Sequence, residues 1–71
     1  MIYFSKYADQ KFEILNRHQV FFTREQIEDT IANPDDTKKK GKYFSAIKNN
    51  INVIYSSENK IIKVITFFPV K

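Results

Sequence analysis

The chain carries two kinds of hydrophobic periodicity, and they fall in separate halves. In the first half, Ala8, Phe12 and Leu15 recur at i, i+4 and i+7, the spacing of one helix face, with Tyr7 and Ile14 widening it. Ser5 stands where an N-cap is needed, since its hydroxyl can accept from a free backbone N–H of the first turn. The pattern predicts a first helix over Ser5 to His18. A second helix begins at Thr23. The run Thr23-Arg24-Glu25-Gln26 matches a capping box, and Phe22 with Ile27 fits the hydrophobic staple. Ile27 and Ile31 make its inward face with Thr30 beside them, and Asn33-Pro34 ends it.

The second half alternates with period two. Tyr43, Ser45 and Ile47 alternate with Phe44, Ala46 and Lys48, and Val53 and Tyr55 alternate with Asn52 and Ile54. Strands are predicted over 42–48, 52–56 and 60–70, with turns at Asn49-Asn50 and Ser57-Glu58-Asn59. The last run is apolar at both parities, which predicts a central strand or the one most covered by helices, with Pro69 at its end. Residues 1–4 predict a short strand or an apolar cover, and the polar stretch from Asp35 to Gly41 predicts an exposed loop. The expected fold is α+β: two N-terminal helices packed on one face of a three- to four-stranded, mainly antiparallel sheet.

Seventy-one residues make a single domain, 1–71, with a small core, because a chain of this length buries only about 60% of its extended surface. Seven Phe and four Tyr supply the apolar mass. With no Cys there is no disulfide and no thiolate site. One His and no acid cluster of liganding spacing argue against a metal, and one Gly cannot build a phosphate loop, so no cofactor is expected. Charges interrupt the N-terminus, and no stretch approaches the roughly 20 apolar residues of a membrane span. A cytoplasmic domain with no membrane partner is the expectation.

Charge changes the picture more than composition does. Residues 1–37 hold four cations and seven acids, a balance of −3, whereas residues 38–71 hold eight lysines and only Glu58, a balance of +7. A basic sheet attracts polyanions. The competing explanation is that the lysines are solvated guards against edge-to-edge aggregation. Lys42, Tyr43, Lys48 and Lys63 are the candidate nucleic-acid contacts, with Lys60 and Tyr55 in the same basic and aromatic mixture; lysines would hold phosphates and tyrosines would stack on bases. Tyr55 also reads as half-buried core. His18, beside Arg17 at the end of the first helix, suits a dipole-neutralising role better than catalysis, though an imidazole can move protons at neutral pH. A nucleophile formed by His18 with Ser5, Ser45, Ser56 or Ser57 would require tertiary coincidence.

Phe12–Leu15, Thr23–Ile27, Ile31-Ala32-Asn33-Pro34-Asp35, Asn52-Val53-Ile54-Tyr55 and Lys63-Val64-Ile65-Thr66-Phe67-Phe68-Pro69 together resemble the RelE/ParE toxin superfamily, in its short BrnT-like form. The resemblance spans nearly the whole chain through order and spacing, not through any one specific motif. It implies metal-independent mRNA cleavage, often on the ribosome, by attack of a ribose 2′-hydroxyl on the adjacent phosphate, and neutralisation by a cognate antitoxin protein. His18, Arg17 and Tyr55 are then the surviving candidates for catalysis. This chain has Tyr7, Asn52 and Phe68 where such relatives often carry His, Arg and Tyr, which removes proton-transfer and anion-holding groups together. The resemblance therefore implies either a toxin with a degenerate site or an inactive homologue that binds RNA or protein. A homodimer through an exposed strand edge is a further partner to consider.

Overall fold

The computed structural model describes residues 2–70. Its elements run β1 (Ile2–Phe4), α1 (Lys6–Arg17), α2 (Arg24–Ala32), β2 (Asp36–Lys40), β3 (Tyr43–Lys48), β4 (Ile51–Glu58) and β5 (Ile61–Pro69). The fold is α+β as expected, but the sheet has five strands instead of three or four, in the order β1-β5-β4-β3-β2. All neighbours pair antiparallel except β1, which runs parallel to β5.

Both helix starts are local chemistry that the sequence specifies. Ser5 Oγ accepts from the Ala8 N–H at 3.0 Å and donates to the Ile65 carbonyl at 3.0 Å, so one hydroxyl caps α1 and pins it to β5. The α2 capping box is complete: Thr23 Oγ1 accepts from the Gln26 N–H at 3.1 Å, and Gln26 Oε1 accepts from the Thr23 N–H at 2.8 Å. α1 ends in a Schellman turn. Gln19 takes a left-handed φ of 61°, its N–H reaches the Asn16 carbonyl, and the Val20 N–H reaches the Leu15 carbonyl.

The core joins both helices to one parity of the sheet. Ala8 and Leu15 of α1 and Ile27 and Ile31 of α2 form one buried cluster with Ala46, Ile51, Val53, Tyr55, Val64 and Phe67. Ladder partners share a face, and Ala46, Val53 and Phe67 lie opposite one another, as do Tyr55 and Val64. Val64 and Phe67 are three residues apart, yet both are fully buried. An irregularity in the β4–β5 ladder at Ile54/Tyr55 allows this: Thr66 pairs with Ile54 and Val64 with Tyr55, leaving Ile65 unpaired. The bulge swings Phe67 back under α1, where its ring lies 4.5 Å from Phe12 and 6.1 Å from Phe22. It also explains why β5 reads as apolar at both parities.

Three expectations are corrected. The stretch expected as a loop from Asp35 to Gly41 contains β2, an edge strand exposed at every residue and held by its ladder to β3. Its polar sequence shows no alternation because neither side is buried. The turn expected at 57–59 lies one residue later, at Asn59-Lys60, where both residues have positive φ. Tyr7 and Ile14 do not widen the buried face of α1; they are 55% and 42% exposed. The last run is, as expected, the strand most covered by a helix: β5 is an inner strand under α1, with β4 at the middle of the five described strands.

Candidate nucleic-acid interface

The parity that the core does not use makes a second face. Tyr3, Lys40, Tyr43, Ser56 and Lys63 alternate with the residues that pack on the helices, and the ladders place them in one row. Lys40 pairs with Tyr43, Tyr43 with Ser56, Ser56 with Lys63, and Lys63 with Tyr3. The row crosses all five strands. Tyr43 is 41% and Tyr3 51% exposed, values that leave both rings open to a flat partner. The row is placed by two hairpins. The β2–β3 turn is Gly41-Lys42, with Gly41 at φ 60° as a two-residue turn of the II′ pattern requires. The β4–β5 turn is Asn59-Lys60.

A cleft of about 420 Å³ opens along this end of the sheet, lined by Lys39, Lys42, Tyr43, Ser56, Glu58 and Lys63 among others. Lys42 Nζ stands 5.6 Å from the Tyr43 ring centroid. A smaller hollow of about 230 Å³, with Lys40, Tyr43, Ser45 and Ile54 on its wall, adjoins the other side of Tyr43. Ammonium groups, serine hydroxyls and one carboxylate thus surround an exposed phenol. The arrangement can hold phosphates by charge and bases by stacking.

Of the nucleic-acid candidates read from the sequence, Lys42, Tyr43 and Lys63 come together in this cleft. Lys48 does not. It lies at the far end of β3 opposite Ile51, and its Nζ donates to Asp29 Oδ2 of α2 at 2.6 Å. That hydrogen bond, and then one from Asn33, hold the Asp29 carboxyl below its usual range. Lys42 and Lys48 therefore serve different ends of the molecule.

The three catalytic candidates are not assembled. His18 is the C-cap of α1 and Arg17 the last helical residue, paired with Glu13 at 2.9 Å; both are exposed. α1 begins at β5 near Val64 and Ile65, and its Phe12 has already reached Phe67. Tyr55 sits opposite Val64, at the start of that path, while His18 lies about 20 Å further along by helical rise. Tyr55 is only 9% exposed, and its ring stacks on Phe44 at 5.3 Å, so it is core.

Sequence reasoning missed Tyr3, Lys40, Lys39, Ser56 and Glu58 as members of this site. Their spacing along the chain is irregular, and only strand order and register make them neighbours. Among the described residues no three His, Asp or Glu side chains cluster as a metal site would require, and no helix is long and apolar enough to cross a membrane. No family model matches the chain, and no curated protein or solved structure matches it either.

Proposed function

We propose that the protein is an RNA-binding module that keeps a RelE/ParE-like frame without its cleavage machinery. The observation that carries this reading is the cleft holding Lys42, Tyr43 and Lys63 together on the sheet, with Lys39 beside them. Lys42 and Lys63, with Lys39 at the rim over Phe44, supply the sequence-independent part of RNA affinity. Ser56 and Glu58 in the same cleft offer the hydroxyl and carboxylate acceptors that a ribose 2′-hydroxyl can use, which favours RNA over DNA. The dispersed positions of His18, Arg17 and Tyr55 support binding over catalysis.

The test is fluorescence anisotropy with an end-labelled RNA oligonucleotide and its DNA counterpart. RNA should bind several-fold tighter than DNA, and a Lys42→Ala, Lys63→Ala double variant should lose about tenfold in affinity, or about 1.4 kcal/mol. Absence of RNA binding at low salt would overturn the proposal.

A second reading has Glu58 on its side. A carboxylate beside several ammonium groups is the combination that 2′-hydroxyl attack on a phosphate needs, as base and as charge stabilisers. In that reading the chain is a metal-independent mRNA endoribonuclease toxin, held inactive by a cognate antitoxin. Cell-free translation with end-labelled mRNA separates the two. Discrete cuts that survive EDTA and vanish in Glu58→Gln would establish the nuclease, whereas intact mRNA at stoichiometric protein would leave the binding module.

A further inference from the structure

We infer that the sheet seats RNA as a single strand running across the β-strands, with one base stacked on Tyr43, another on Tyr3, and the intervening phosphate held at Lys63. This rests on the RNA-binding reading and specifies the form of the ligand. Tyr43 lies on β3 and Tyr3 on β1, three strand spacings apart, with Ser56 and Lys63 on the strands between. At about 4.8 Å per spacing the rings stand about 14 Å apart. Neighbouring bases in a helical stack are only about 3.4 Å apart along the axis, so adjacent stacked bases cannot use both rings. A splayed chain can, with its sugar and phosphate crossing Ser56 and Lys63 between the two tyrosines.

Three features fix the path. Lys40 closes the row at one end, and Lys42 stands 5.6 Å from the Tyr43 ring centroid, so a base on Tyr43 carries its own phosphate into a lysine pair. The hollow beside Tyr43, lined by Ser45 and Ile54, gives that base an apolar floor. At the other end β1 is an edge strand of three residues, so the chain can leave the sheet beyond Tyr3 without obstruction from a further strand. The footprint is about four nucleotides, the low end for single-strand platforms. A duplex cannot make these contacts, because its bases already stack on each other and its faces are closed to the tyrosines.

The experiment compares a non-pairing, labelled 12-nucleotide RNA with the same strand annealed to its complement, using the wild type and the Tyr3→Leu, Tyr43→Leu and Tyr3→Trp variants. Both tyrosines are exposed, so the variants should fold, and a thermal melt checks this. The single strand should bind at least tenfold tighter than the duplex. Each Leu variant should lose at least fivefold for the single strand and nothing for the duplex. Tyr3→Trp should retain affinity, and its fluorescence should be quenched on binding. Equal affinity for both forms, with Leu variants as tight as wild type and Lys63→Ala still weak, would overturn the path across the tyrosines while leaving RNA binding by charge intact. Absence of binding to either form would overturn both readings.

Discussion

At the scale of single residues, the backbone records where sequence and geometry disagree. Positive φ occurs at Gln19, Gly41, Asn49, Asn50, Asn59 and Lys60. Glycine and asparagine accept the left-handed region readily, but Gln19 and Lys60 do not. Gln19 sits at the position after the α1 cap, where glycine is the preferred residue, and Lys60 is the second residue of a tight hairpin turn. Replacing either by glycine removes a strain of about 1–2 kcal/mol and returns some of it as greater freedom of the unfolded chain. Gln19→Gly and Lys60→Gly should therefore each stabilise by about 0.5–1 kcal/mol, raising Tm by several degrees in a domain of this size. Gly41→Ala should do the reverse by about 1 kcal/mol. A Cβ there meets nothing within 4 Å, so the whole loss would come from φ. Thermal melts of the three variants read all of this, and a destabilised Lys60→Gly would show that the turn is not the source of strain.

At the scale of elements, α2 is fastened to the sheet by an ion pair between Lys48 of β3 and Asp29, whose side chain is 48% exposed. The folded Asp29 carboxyl titrates below its ordinary value, chiefly because Lys48 donates to it. A depressed carboxylate contributes stability that is fully present above the ordinary carboxylate range and is lost as pH falls through the folded value. Asp29→Asn should thus be less stable than wild type at about pH 6, and the difference should shrink as pH falls below the ordinary carboxylate range, by thermal or urea melts across the acid range. A constant difference at all pH values would mean that packing, not charge, holds α2. The elements also show what the chain discloses in advance. α1 and α2 were legible to within a residue because their caps and faces are local: Ser5 and Ala8, Thr23 and Gln26, Asn33 and Pro34. β2 was not legible, because Asp36–Lys40 becomes a strand only through pairing with β3. The site was legible in part. Its charge and tyrosines stand out in the sequence, but that Lys48 leaves and Tyr3 joins depends on register and strand order, which no local pattern carries.

At the scale of the whole molecule, the two faces differ in charge as well as in packing. The helices set Asp9, Glu13, Glu25, Glu28 and Asp29 against Lys6, Lys11, Arg17 and Arg24, a balance of −1, while the cleft and its rim carry Lys39, Lys40, Lys42 and Lys63 with only Glu58 among them. An even distribution of the same net +4 would attract RNA weakly from every side. The segregated one concentrates the attraction where the tyrosines are. This separates two electrostatic quantities that net charge alone would merge. The salt dependence of affinity counts the phosphates actually neutralised, about −0.7 per contact for a single strand. Three contacts, at Lys40, Lys42 and Lys63, predict a log–log slope of about −2, falling toward about −1.4 in Lys63→Ala. Glu25→Gln, Glu28→Gln raises the net charge by two on the helical side, where no phosphate is held. It should quicken association at low salt through the longer-range field and leave the slope unchanged. If instead the slope steepened with the helical substitutions, RNA would be reading the charge of the whole surface, and the sheet would lose its claim to be the binding face.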